Sequence, residues 1–240
     1  MTVHEVCLTR REAVAEGTTA FHFDRPPGFQ FRAGQSLTMS LVDPPAMDGK
    51  GATRPFTIAS APHEAELMIA TRMRDSTFKR YLKAAPAGTP VRIDGPNGEM
   101  VLHDDLARPA VFLAGGIGIT PFLSMARHAS HERLAHRIYL FYSNRRPEDA
   151  AFLAELQDLE QRNPNYHLIA TMAETEKSAQ AWSGETGFIR REMLERHLPD
   201  TASPVYYFAG PPAMAMAMQE MLQGMGIGED AMRYEEFYGY

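Results

Sequence analysis

At 240 residues the chain is long enough for one large or two small domains and can bury roughly 70% of its unfolded surface. Its 44% hydrophobic and 22% charged residues exclude extended disorder, and a net charge of −6 excludes a large basic field that would attract nucleic acid or a membrane surface. A single cysteine, Cys7, excludes an intramolecular disulfide, a cysteine-rich zinc site and a four-cysteine iron–sulfur cluster; Cys7 itself is expected on a buried strand.

The opening Met1-Thr2-Val3-His4-Glu5 lacks a charged start followed by an apolar run, and no segment approaches the roughly 20 apolar residues of a membrane span. The expected setting is cytoplasmic. Up to about residue 107 the chain reads as short strands broken by turns. Residues 36–42 alternate Leu37, Met39 and Leu41 with Ser36, Thr38 and Ser40, and residues 67–71 and 91–93 look similar. Pro26-Pro27-Gly28, Asp43-Pro44-Pro45, Ala87-Gly88 and Gly95-Pro96-Asn97-Gly98 separate them, which predicts an antiparallel β-barrel. A helix is expected over residues 77–85, with Asp75, Ser76 and Thr77 available as N-caps. Arg54-Pro55-Phe56-Thr57 reads as a strand with Arg54 and Phe56 on one side and Pro55 and Thr57 on the other. A cation, an aromatic face and a hydroxyl suit a phosphate-bearing ligand, but a plain barrel strand explains them equally.

Beyond Arg108-Pro109 the pattern changes to strand then helix: strand 110–114, a helix from Thr120, strand 137–142, a helix from Pro147 or Glu148, then strands at 166–171, 205–209 and 232–235. This alternation predicts an α/β doubly wound parallel sheet. The expected architecture is therefore two-domain, a barrel over residues 1–107 followed by an α/β half over 108–240. The polar stretch 174–186 is expected as a surface loop carrying Trp182.

Strand 110–114 runs into Gly115-Gly116-Ile117-Gly118 ahead of a helix that Thr120 caps and Pro121 begins. Free N–H groups at such a turn favour a pyrophosphate, although a ligand-free tight turn has the same appearance. The next strand ends in Ser143-Asn144-Arg145-Arg146, where a carboxylate for a ribose diol would ordinarily stand. Ser143 with Arg145 or Arg146 leans toward a 2′-phosphate and NADPH; the alternative is a solvated loop pairing with Glu148 and Asp149.

Taken in order, Arg54-Pro55-Phe56-Thr57, the glycine turn, Gly210-Pro211-Pro212 and Glu235-Glu236-Phe237 resemble the ferredoxin-NADP reductase family over nearly the whole chain. The resemblance implies FAD, with FMN less favoured, in the barrel and NADPH or NADH as co-substrate. It implies that Arg54, Pro55, Phe56, Thr57, Arg72, Ser76 and Thr77 hold the flavin, with Tyr240 available to cover it. Gly115, Gly116, Gly118, Thr120, Pro121, Ser143, Arg145, Arg146, Gly210, Pro211, Pro212 and Phe237 would serve the dinucleotide, and Thr57 and Glu235 the chemistry. The implied activity is hydride transfer from NAD(P)H to the flavin, then single electrons to a ferredoxin, flavodoxin, haem protein or oxygenase component. A reductase of small acceptors (free flavin, ferric chelate, quinone) and a non-catalytic nucleotide-binding regulator are the alternatives. Ala209 stands where many members have cysteine, Phe56 where tyrosine is common, and the Ser76 cap falls about one turn early. His128, His131 and His136 lack zinc-protease spacing and are expected solvated, while Met214, Met218, Met221 and Met225 share a helical face expected to pack in the core.

Overall fold

The computed structural model describes residues 3–44, 49 and 51–237; Tyr240 lies outside them. Strands β1 (Val3–Ala15), β2 (Thr18–Asp24), β3 (Ser36–Leu41), β4 (Thr53–Thr57), β5 (Glu66–Arg72) and β6 (Pro90–Asn97) pair antiparallel in the order β4-β3-β6-β1-β2-β5. Just past β4, Ala59 N donates to Met68 O of β5 at 2.7 Å, so the two ends of the sheet meet and the barrel closes. Alternation in β3 buries Leu37, Met39 and Leu41, which pack with Val6, Phe21, Ile69 and Val91. Helix α1 (Thr77–Ala84) plugs this core with Phe78 and Leu82. Of its three candidate caps, Ser76 serves: its backbone is extended and its Oγ accepts from Lys79 N. Cys7 is only half-buried, because its side chain falls between the inward-facing Val6 and Leu8.

The second sheet is wholly parallel: β7 (Ala110–Gly115), β8 (Ile138–Asn144), β9 (Tyr166–Met172), β10 (Glu185–Thr186), β11 (Val205–Gly210) and β12 (Met232–Glu236), ordered β10-β9-β8-β7-β11-β12. Helices α2 (Ile119–His131), α3 (Leu153–Arg162), α4 (Arg191–His197) and α5 (Pro212–Gly224) connect and cover it. Buried on both faces, β7 and β11 are continuous apolar runs. Several details depart from expectation. The chain leaves β7 through a 3₁₀ turn at Gly116–Gly118, so Gly118 takes the cap position and the Thr120 hydroxyl donates to Ile117 O rather than capping. A 3₁₀ turn at Pro147–Asp149 and a left-handed Phe152 (φ 62°) delay the next helix to Leu153. Within 174–186, Trp182 is partly buried and donates Nε1–H to Glu185 O at 2.7 Å. His136 is buried with Nε2 against His103 O, whereas His131 is exposed and stacks on His63. Met218 is buried and Met214, Met221 and Met225 pack beside it, a core face. Among the described residues no helix is long and apolar enough to cross a membrane.

One hydrophobic cluster runs through both sheets' territory, joining Ala33, Ala59, Met68 and Ala70 of the barrel to Phe122, Met125, Ala126 and Ala129 of α2. Arg127 forks onto Glu155 at 2.6 and 2.8 Å and also reaches Glu64 of the barrel. Next to it, the fully buried Ser124 donates to Ser60 O at 2.7 Å. Ser124→Ala is expected to cost about 1–2 kcal/mol by stranding that carbonyl, read as a lower urea midpoint with an unchanged slope.

Candidate functional site

The strand order of the parallel sheet reverses between β7 and β11, and in sheets of this kind ligands bind outside the strand ends at that point. Here both strands end in tight turns packed back to back. A Cβ on Gly115 would lie 2.1 Å from Met214 Sδ and 3.3 Å from Pro211 Cδ, and one on Gly118 would lie 2.1 Å from Ala209 O. Gly210 meets Gly115 Cα at 3.3 Å from its own Cβ position. Close approach of the two backbones therefore requires glycine at 118, whereas a Cβ at 115 or 210 would press on the Met214 side chain or demand a small shift. Gly116 is required for another reason, its φ of +54°. Pro211 caps α5 and Pro212 opens it, while Pro121 is buried in the first turn of α2.

Arg72 reaches from the barrel to this turn. Its Nε and one terminal nitrogen lie 3.8 Å from the Gly116 Cβ position, and it donates to Asp149 O at 3.3 Å. Lys79 Nζ donates to Arg72 O at 2.8 Å. Burial first, then the charges of Arg74 and Arg54, hold the Lys79 ammonium below its ordinary pKa. Arg54 lies over the Phe78 ring at 5.4 Å, donating to Gly51 O and Thr53 O, and Phe56 meets the same ring at 5.7 Å. Arg54, Arg72, Arg74 and Lys79 thus gather around the N-terminus of α1, where Ser76 and Thr77 stand, on a chain whose net charge is negative. That donor set fits a diphosphate, and the bare glycine turn fits a second one. Arg74 and Lys79 escape a motif search because their role arises only when α1 folds back onto β5.

Thr57 is buried and pairs with Ser36 across β4 and β3. Ser36 Oγ and Glu235 Oε1 approach a common point, 3.7 and 3.5 Å from where a Gly98 Cβ would stand. Ser36, the cross-strand partner of Thr57, and Glu235 thus flank Gly98 from the two sheets. Glu235 pairs with Ala209 in the β11–β12 ladder, and Phe237 N extends the ladder onto Gly210 O at 2.9 Å. Burial pushes the Glu235 carboxyl up to about 7. A cleft of about 710 Å³, lined by Arg32, Gln35, Gly98, Arg233 and Glu235, opens it to solvent.

At the end of β8, Ser143 pairs with Gly115. Asn144 is buried beside the Tyr142 hydroxyl, without a well-formed hydrogen bond for its side-chain amide. A polar residue closing an apolar strand was the available signal for it. Arg146 forks onto Asp149 and reaches Glu16, and Arg145 is exposed, 4.0 Å from Glu174.

The family model of the oxidoreductase NAD-binding domain matches residues 112–220. The glycine betaine monooxygenase reductase subunits of Chromohalobacter salexigens and Pseudomonas aeruginosa are 28% and 31% identical over 222 residues, 91% of this chain. The chain spans 59% of the length of those relatives. A crystal structure of a ferredoxin NADP+ reductase from Neisseria gonorrhoeae with bound FAD and NADP superposes with a TM-score of 0.80 at 20% identity, covering 98% of each chain. It shares the fold.

Proposed function

We propose that the chain is a member of the ferredoxin reductase-like FAD/NAD-binding oxidoreductases, a flavin-dependent NAD(P)H oxidoreductase whose acceptor is a separate redox protein, in the first instance a monooxygenase component. Residues 1–107 form its flavin half and 108–240 its dinucleotide half, and it works in the cytoplasm, where the lone Cys7 thiol stays reduced. A bound FAD would supply a hydride acceptor for NAD(P)H and a donor of single electrons. Arg54, Arg72 and Lys79 at the α1 N-terminus would hold the flavin diphosphate, Phe56 would offer an aromatic face to the flavin, and Thr57 would hydrogen-bond it from the barrel. The amides of Gly115, Gly116 and Gly118 receive the dinucleotide pyrophosphate, with Thr120 and Pro121 shaping the turn. Gly210, Pro211 and Pro212 leave room above β11, and Phe237 borders it. Glu235, ionising near neutrality, holds a proton beside Gly98 and exchanges it with the cleft.

The observation that carries this reading is the juxtaposition of two anion cradles, one at α1 and one at the glycine turn, with Arg72 reaching between them. Purified chain supplied with FAD is expected to turn yellow and to bleach anaerobically on adding NAD(P)H; a colourless chain that refuses flavin overturns the assignment. Arg54→Ala is expected to weaken flavin binding about 10- to 100-fold, roughly 1.5–3 kcal/mol, measured by flavin fluorescence titration.

A further inference from the structure

Resting on the proton-holding role given to Glu235, we propose that Tyr207 is a positioning residue: its hydroxyl fixes the connector between β6 and β7 against β11 and β12 and thereby sets how closely Glu235 is enclosed. The connector comprises residues 98–109. Tyr207 is wholly buried and pairs with Arg233 across the β11–β12 ladder, two residues before Ala209 pairs with Glu235. Side chains alternate along a strand, so Arg233 and Glu235 lie on one side of β12, and that side faces the connector.

The neighbours of this hydroxyl settle the direction of each hydrogen bond. Arg108 O can only accept, so His103 Nε2, 3.0 Å away, carries the ring proton. Burial chiefly holds the His103 imidazole below its ordinary pKa, so the ring stays neutral and its bare Nδ1 accepts the phenolic proton at 2.9 Å. The oxygen in turn receives His103 N–H at 2.9 Å and a terminal nitrogen of Arg233 at 3.3 Å, which uses both of its lone pairs. The same Arg233 nitrogen donates to Val101 O at 2.6 Å, and the guanidinium lies 5.4 Å from the centre of the Tyr207 ring. Val101, His103 and Arg108 are thus tied, directly or through one another, to a single hydroxyl. At its other end the connector is held by the barrel, where Gln35 Nε2 donates to Gly98 O at 3.1 Å and Met100 O fills the Cβ position of Gly34. It therefore acts as a spacer of fixed length, with Gly98 opposite Glu235 and Val101 opposite Arg233. Arg32, Glu99, His103, Asp104 and Arg233 share the cleft with Glu235, yet burial alone lifts its carboxyl to about 7. Its ionisation gauges how closely the connector lies over it. Without the phenolic oxygen, His103 N–H and Nδ1 lose their partner and the connector loosens. Water entering the cleft and the released Arg233 then both favour the ionised carboxylate.

The test is the titration of Glu235 in FAD-supplied chain, followed by carboxyl ¹³C NMR with Glu235→Gln assigning the resonance, alongside the pH dependence of kcat/KM. Tyr207→Phe should make Glu235 about tenfold more acidic than in native chain and move the pH–rate limb by the same amount. His103→Phe, which takes the ring nitrogens from the connector without changing charge, should act in the same direction, and it decides by the same readout should Tyr207→Phe fail to fold. Tyr206→Phe is the control: Tyr206 is equally buried on the opposite face of β11 and donates to Thr201 O at 2.7 Å, so it loses a comparable hydrogen bond yet should leave Glu235 titrating as in native chain. An unchanged Glu235 titration in folded Tyr207→Phe, or an equal change in Tyr206→Phe, overturns the proposal. A titration that moves as expected while the pH–rate limb stays in place keeps the positioning role and overturns instead the proton-holding role of Glu235.

Discussion

Gly118→Ala is expected to lower folding stability by about 3–5 kcal/mol and to remove dinucleotide binding with it. The backbone at Gly118 is ordinary right-handed helix (φ −60°, ψ −3°), where alanine in place of glycine commonly stabilises a protein by up to about 1 kcal/mol. The sign reverses here because the new Cβ would stand 2.1 Å from Ala209 O, 2.4 Å from Ala209 C and 2.7 Å from Gly210 N. All three atoms are backbone, and they belong to β11, which is held between β7 and β12 by ladders on both sides. No side chain can rotate away, so the turn or the strand must move, and either motion separates the two strand ends. Gly224→Ala, in the last turn of α5 with nothing within 4 Å of its Cβ position, is the control and should be neutral or mildly stabilising. Denaturant midpoints decide the matter: a Gly118→Ala midpoint equal to that of Gly224→Ala would mean that the turns do not press together.

The same contact shows how far the sequence alone carries. Residues 110–115 announce a buried parallel strand because every side chain is apolar and glycine follows, and β3 announces itself by strict alternation. That the third glycine is needed for its approach to Ala209, 91 residues along the chain (209 minus 118), lies in the tertiary packing alone. Strand β1 is harder to read: its second half, through Arg10, Arg11 and Glu12, is exposed, so no inward face imprints a period. Helix α4, with only Met193 and Leu194 buried, leaves a similarly faint apolar stripe. Arg54, Thr57 and Glu235 were legible as fragments of a motif, because their chemistry is bound to local strings. Glu174 and Glu16 were not. Their effect on Arg145 and Arg146 arises from loops that meet in space, Glu16 and Arg146 being 130 residues apart. Hence the residue types at the end of β8 do not reveal that Arg145 and Arg146 stand beside carboxylates brought there by other loops.

Glu235→Gln is expected to abolish a fall in stability that native chain undergoes as pH rises through neutrality. Burial alone lifts this carboxyl from an ordinary 4.5 to about 7, so the folded chain keeps a proton there that the unfolded chain releases. Between those limits the native state binds more protons than the denatured state, and linkage then makes stability decrease with rising pH. The stability conferred by the protonated group is complete below about pH 4.5 and is lost progressively up to about pH 7, by about 2–3 kcal/mol in all. Glutamine keeps the shape and carries no charge at either extreme. Glu235→Gln should therefore match native chain at pH 4.5 and exceed it by about that amount at pH 8, in urea unfolding at the two values. In FAD-supplied chain it should also remove the limb of the pH–rate profile near pH 7, since an amide beside Gly98 cannot release a proton to the cleft. Parallel pH–stability curves for the two proteins would show that Glu235 ionises as freely as a surface carboxylate, and its assignment as the proton-holding group would go with them.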